Sequence, residues 1–209
     1  MERGRIFVSV GVGSIVLLLG AGLWIATVGT PGDRFATCGR SSIVGGSALI
    51  GGPFTLVDET GQTVTETQVF TRPSLVYFGY TFCPDVCPLD NVRNADAVDI
   101  LAGLGHDVQP VMISIDPDRD TPEVMADYTN LMHPEMIGLT GSAEQVKTAS
   151  LAYKTYYRKQ ESGDEFYEMD HSTFTYLVFP DTGFAEYYRR DVSAEQMARS
   201  VACIVEHSG

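Results

Sequence analysis

Two cysteines, Cys83 and Cys87, stand with three residues between them in "YFGYTFCPDVCPLD", directly after an apolar run. Residues so spaced can do three kinds of chemistry. One thiol can attack a disulfide while the other resolves the mixed intermediate. A low-pKa thiol beside a resolver can be oxidised by peroxide through a sulfenic acid. Two thiolates on one helical turn can also chelate one soft ion, which suits Cu(I), Zn or an iron–sulfur centre. A structural bridge is sterically accessible, since i,i+4 positions on a helix lie about 5–6 Å apart at Cβ. It would close one turn and constrain almost nothing, so reactive or metal-binding use is favoured.

A third donor would raise the specificity of the pair, and four histidines can be weighed. His106 sits in the polar turn "GLGHDV" and His207 in the last three residues, both positions where solvated histidines are commonplace. His133 follows a helix as "MHPE" and can neutralise its terminal carbonyls, a structural role. His171 differs. It lies in "YEMDHSTFTYLVF" at the start of a buried strand, a junction that can face the cysteine loop in an α/β sheet. A lone histidine is still more often a structural residue than a ligand.

The elements that must position these groups follow from pattern. "SLVYFGY", Ser74–Tyr80, is the apolar run of a strand buried on both faces. Leu89, Val92, Ala95, Val98 and Leu101 or Leu104 repeat at helical spacing, with Gly103 and Gly105 closing the helix. The cysteines thus occupy a loop from a strand end into a helix N-terminus, where sheets of this kind gather ligands and partial positive charge favours thiolate.

Around that unit, "FTLVDETGQTVT" reads as two short strands about a polar turn, and Val111–Asp116 as the next buried strand. Thr121 caps a helix with Pro122 at its first position, Met136–Leu139 is a short strand, and Ser142 caps a further helix. Tyr156–Met169 flanks a Ser162-Gly163-Asp164 turn. Thr173–Phe179 is a strand, Asp181-Thr182-Gly183 turns it into "FAEYYRR", and Ser193 caps a last helix through Cys203. Strands and helices alternate, then a hairpin and a helix finish, which predicts an α/β sheet with helices on both faces. No repeat or second-domain signal is present.

The chain has 209 residues, 44% of them hydrophobic, enough for one core with length left over. Ile6–Val28 carries no charge over twenty-three residues, and at about 1.5 Å per residue such a helix crosses a hydrocarbon core of roughly 30 Å. The run exceeds a signal peptide's apolar region, so a retained anchor is expected. Arg3 and Arg5 precede it while Asp33 and Arg34 follow, which puts the N-terminus in the cytoplasm and the rest outside. The expected organisation is a cytoplasmic tip and transmembrane anchor over 1–28, a Gly/Ser-rich tether over 29–52 and one domain over 53–209. A net charge of -13 argues against nucleic acid as a partner. In an oxidising compartment each cysteine needs a partner or a metal. If Cys83 and Cys87 act together, Cys38 and Cys203 are left to each other.

"GGPFTLVDETGQTV", "LVYFGYTFCPDVCP", "VMISIDPDRDTPEVMADY" and "YEMDHSTFTYLVF", in that order after one membrane span, resemble the Sco/SenC family of membrane-anchored copper-binding proteins. The resemblance runs from about Gly51 to the last helix. It implies a thioredoxin-like fold with an added N-terminal β-hairpin, one copper per chain as Cu(I) or Cu(II), and Cys83, Cys87 and His171 as its ligands. It implies delivery of copper to the binuclear site of cytochrome c oxidase subunit II, at the periplasmic side of the cytoplasmic membrane, with a copper-donor chaperone as a further partner. The alternative is a thiol-disulfide reductase that keeps the cysteines of that site reduced. Asp170 is expected to orient a neighbouring group or to tune the site from outside the ligand set, and Asp85 to fix the loop, neither as a ligand, while Met169 packs. Thioredoxin-like oxidoreductases carry Cys-x-x-Cys and a cis-proline opposite. This chain has three intervening residues and Met169-Asp170-His171 there instead. A peroxidase would carry a Pro-rich loop with a Thr before its cysteine; Thr81 precedes Cys83, but no upstream proline accompanies it in the loop.

Overall fold

A computed structural model describes residues 38, 49–161 and 167–208. The expected Ile6–Val28 span, most of the tether and the Ser162-Gly163-Asp164 turn lie outside the described residues. Among the described residues no helix is long and apolar enough to cross a membrane.

The first strands are a hairpin, β1 (Thr55–Asp58) and β2 (Thr63–Thr65), followed by the single turn α1 (Glu66–Val69). Asp58 makes the hairpin turn: its Oδ1 accepts from Thr60 N at 2.9 Å and Gln62 N at 3.0 Å, and Gly61 takes the positive φ of 83° that the return requires. Then come β3 (Ser74–Gly79), α2 (Val86–Gly103), β4 (Gln109–Ser114), α3 (Pro122–Met132), β5 (Ile137–Thr140) and α4 (Ala143–Ala152). A small ribbon, β6 (Tyr157–Lys159) with β7 (Met169–His171), precedes β8 (Thr175–Phe179), β9 (Gly183–Tyr188) and α5 (Ala194–Glu206).

Seven strands form one sheet in the order β2-β1-β5-β4-β3-β8-β9, and β6 and β7 pair separately. β3, β4 and β5 run parallel, and α2 and α3 supply the crossovers that parallel pairing requires. β8 and β9 extend the sheet antiparallel beside β3, and the β1–β2 hairpin adds antiparallel beside β5. The expected strand at Val111–Asp116 begins two residues earlier, because Gln109 already pairs with Ser74.

Period-two alternation divides the core. Val76 and Phe78 of β3, with Val111 and Ile113 of β4, share one cluster with Val146, Ala149 and Tyr153. Phe78 meets Tyr153 with ring centroids 5.4 Å apart. On the alternate positions, Met112 packs with Met125 of α3 and with Met136, while α2 lies against α5. Thr121 accepts from Val124 N at 3.4 Å, and Ser142 and Ser193 close capping boxes with Gln145 and Gln196. Each such cap stabilises its helix by about 1 kcal/mol.

The expected stripe of α2 is corrected in its first half. Leu89 is 63% exposed and Val92 47%, whereas Asp90, Asn91 and Asn94 are buried with Cys87, and only Ala95, Val98 and Leu101 of the stripe face inward. The inward polar groups have partners. Asn91 Nδ2 donates to the Tyr128 hydroxyl at 3.2 Å, and the Thr175 hydroxyl donates to Asn94 Oδ1 at 2.9 Å. A satisfied polar face therefore occupies positions where apolar spacing would have placed leucine and valine.

Cys38 and Cys203 are bridged, with sulfurs 2.08 Å and Cα atoms 5.7 Å apart, so the pairing reached by elimination holds. Cys83 and Cys87 are free thiols.

Candidate metal centre

β3 ends at Gly79 in a tight place. A Cβ added there would stand 2.6 Å from Tyr77 Cε1 and 3.0 Å from Cys87 Sγ, so only glycine lets the strand pass this close to the sulfur. Beyond Tyr80 the loop is tied to β4. Thr81 donates to the Asp120 carboxylate through its hydroxyl at 2.6 Å and through its backbone N at 3.2 Å, and Ser114 Oγ adds a bond of 2.6 Å to the same group. Asp120 is fully buried, and burial raises its pKa against these hydrogen bonds. Cys83 lies in the loop and Cys87 in the first turn of α2, where Cys87 N donates to Cys83 Sγ at 3.3 Å.

His171 comes from the facing ribbon. It closes β7, paired with Tyr157, rather than opening β8 as the sequence pattern suggested. Met169 N donates to the Tyr80 hydroxyl at 3.3 Å, which holds the ribbon against β3, and Met169 itself is buried in packing. The imidazole stands edge-on to Tyr77 and Tyr80, with centroids 6.2 and 5.9 Å away. Its Nδ1 is 2.8 Å from the Ser172 carbonyl oxygen. A carbonyl only accepts, so Nδ1 carries the proton and the Nε2 lone pair is free. Nε2 faces Cys87 Sγ at 3.4 Å. One donor atom each from Cys83, Cys87 and His171 lie within 4.8 Å of one another.

The electrostatics divide the two sulfurs. The hydrogen bond from Cys87 holds the Cys83 thiol down at about 3, assisted by His171 and the backbone N–H groups of Cys87 and Asp85, against the cost of burial. The same bond to a thiolate pushes Cys87 up, as does its own burial, so it keeps its proton while Cys83 is charged. Tyr80 is raised to about 12, mainly by burial. Beneath Cys87, the Tyr77 hydroxyl donates to Asp90 Oδ2 at 3.1 Å, and Arg190 Nε reaches Asp90 Oδ1 at 3.2 Å.

Asp170 orients neighbouring groups, as expected: it accepts from Arg158 at 2.8 Å and Gln160 at 2.7 Å across the ribbon, while the Ser172 carbonyl orients the imidazole. The expected role of Asp85 is corrected. Asp85 is exposed and makes no side-chain cap bond, so its backbone N–H, not its carboxylate, supports Cys83. His133 has a structural place as expected, with a different partner: Nε2 lies 3.3 Å from Asp99 Oδ1, and Glu135 N donates to Nδ1. His106 faces Glu206 at 3.5 Å. Gly79, Tyr77, Tyr80 and Asp120 were missed as site residues. The "FGY" after an unbroken strand was the one available signal, since a glycine there weakens a strand without some close approach to justify it.

Two thiol sulfurs at a helix mouth, met by an imidazole whose free nitrogen points at them, define a soft-metal or dithiol site on an α/β domain of thioredoxin type. The SCO1/SenC family model matches residues 44–206, and the chain belongs to that family. It is 52% identical over 193 residues to Protein SenC of Rhodobacter capsulatus, covering 92% of this chain and 87% of that protein. Arabidopsis thaliana ScoI with copper bound superposes with a TM-score of 0.72 at 39% identity, over 75% of this chain and 99% of the other. Bradyrhizobium japonicum ScoI with copper bound gives 0.66 at 33% identity, over 73% and 98%. The thioredoxin-like fold expected from the sequence is thereby shown.

Proposed function

We propose that the chain is a copper chaperone that holds one copper through Cys83, Cys87 and His171 and passes it to the binuclear copper site of cytochrome c oxidase subunit II. The convergence of those three donors within 4.8 Å carries the reading. Relatives of this fold at 33–39% identity bind copper, which supports the choice of ion. Two thiolates and an imidazole give a three-coordinate set suited to Cu(I), and they hold Cu(II) with one further weak ligand. Cys83 supplies an existing thiolate, and binding displaces the proton of Cys87. Delivery then proceeds by ligand exchange, the half-buried Cys83 yielding first because it is the more accessible of the two sulfurs. Residues 6–28 anchor the chain in the cytoplasmic membrane and the domain works on the periplasmic side, a reading supported by the uncharged run and its flanking arginines.

A second reading rests on the unequal sulfurs. A charged, accessible Cys83 with a protonated, buried Cys87 is the division of labour of an attacking and a resolving thiol, so the domain can also reduce the cysteines of the acceptor site. His171→Ala separates the two. Copper retained after gel filtration should fall from one equivalent to a small fraction, while dithiol exchange with a model disulfide persists. Full copper retention in that variant would refute the three-ligand centre.

A further inference from the structure

At the other end of the chain a second set of soft donors converges. Cys203 and His207 occupy i,i+4 positions at the C-terminus of α5, the same spacing as Cys83 and Cys87, and Cys38 arrives from the chain's opposite end. The two sulfurs and one ring nitrogen of His207 lie within 4.8 Å of one another, with Nδ1 4.0 Å from Cys203 Sγ. Both cysteines are half-buried and His207 is exposed, so an ion can reach them.

We propose that Cys38, Cys203 and His207 form a second soft-metal site, closed while the bridge stands and opened for Cu(I) when it is reduced. As a disulfide the sulfurs are bonded to each other at 2.08 Å and offer no thiolate. Two sulfurs on one ion, each at about 2.3 Å, stand nearly twice that far apart, so bridge and ion are mutually exclusive. Opening needs two electrons and two protons. A dithiol supplies them by attacking one sulfur, passing through a mixed disulfide and leaving as its own disulfide, with Cys38 and Cys203 as thiols. Cu(I) then displaces both protons to solvent.

One local feature favours a cation there: the last carbonyls of α5 carry the partial negative end of the helix. His207 Nδ1 now donates to the Cys203 carbonyl at 2.7 Å, which leaves Nε2 unprotonated as the nitrogen that would bind once the ring turns. The site does not depend on the centre at Cys83, Cys87 and His171.

The test disables that first centre in the full chain, in detergent, with Cys83→Ser, Cys87→Ser and His171→Ala together. A phosphine opens the bridge anaerobically, becoming a phosphine oxide with oxygen from water while the two protons go to the sulfurs, and is removed by gel filtration. Cu(I) alone is then titrated against a chromophoric Cu(I) chelator. The bridged chain should retain none and the reduced chain one equivalent. Adding Cys203→Ala should abolish retention. Adding His207→Gln, which keeps a donor for the carbonyl, should weaken it at least tenfold. No Cu(I) on the reduced chain, equal affinity with His207→Gln, or loss of the helical far-UV signal on reduction would each overturn the proposal. Copper on the reduced triple variant stands whether or not the unaltered chain binds copper at its first centre, so the two readings fail separately.

Discussion

Gly79→Ala probes the closest approach in the site. The new methyl would lie 2.6 Å from Tyr77 Cε1 and 3.2 Å from Cδ1, against a carbon–carbon optimum of about 3.5–4.0 Å, so the ring must retreat by about 1 Å. It has nowhere easy to go: Tyr77 is fully buried and its hydroxyl is bonded to Asp90. Overpacking of this kind costs about 1–3 kcal/mol, which for a domain of this size lowers Tm by roughly 2–12 °C. The same methyl meets Cys87 Sγ at 3.0 Å and must push it by several tenths of an ångström, more than the ±0.2 Å or so that a metal–ligand bond tolerates. Cu(I) affinity is expected to fall about tenfold, or about 1.4 kcal/mol. Thermal unfolding of the metal-free chain and competition with a chromophoric chelator measure the two effects. Gly103→Ala serves as control, because nothing lies within 4 Å of its added Cβ, and it should leave Cu(I) affinity unchanged. If Gly79→Ala matches the unaltered chain in both Tm and affinity, the close-approach argument is wrong.

Tyr77→Phe removes the hydroxyl donor to buried Asp90 and should destabilise the metal-free domain by about 1–3 kcal/mol in denaturant unfolding; an unchanged midpoint would mean the Tyr77–Asp90–Arg190 chain contributes nothing. Iodoacetamide should label Cys83 well before Cys87 in the metal-free chain, as read by peptide mass spectrometry, because Cys87 is fully buried and Cys83 is not; equal labelling would contradict that geometry. Replacing Cys38 and Cys203 together by serine releases a bridge across a separation of 165 residues, for which the chain-entropy limit is about 5 kcal/mol. A loss of about 2–5 kcal/mol is expected in denaturant unfolding, and no loss would show that the bridge does not constrain the unfolded chain.

The sequence made the scaffold readable where one physical signal dominates. Thr121 with Pro122, Ser142 and Ser193 each mark a helix start through an unambiguous cap, and Ser74–Gly79 is buried throughout as its apolar run demands. α2 misled because its spacing of Leu89 and Val92 matches an apolar stripe, while the inward face is set by long-range partners on β3, α3 and β8 that no local pattern displays. His171 stood out by its place before a strand, yet its own ribbon and the Ser172 carbonyl that fixes its tautomer depend on Tyr157, fourteen residues upstream. Asp120 reaches back thirty-nine positions to Thr81. Carboxylates with partners so remote look like ordinary surface charge in one dimension, which is also why Asp85 drew attention that belonged to Asp120.

The bridge from Cys38 to Cys203 makes almost the whole domain a covalent ring. A single peptide cut anywhere inside it yields two pieces that remain one molecule, running as one band in a denaturing gel until a reductant parts them. In a compartment patrolled by endoproteases, a nicked copy would keep both of its ends in register and could refold around the break.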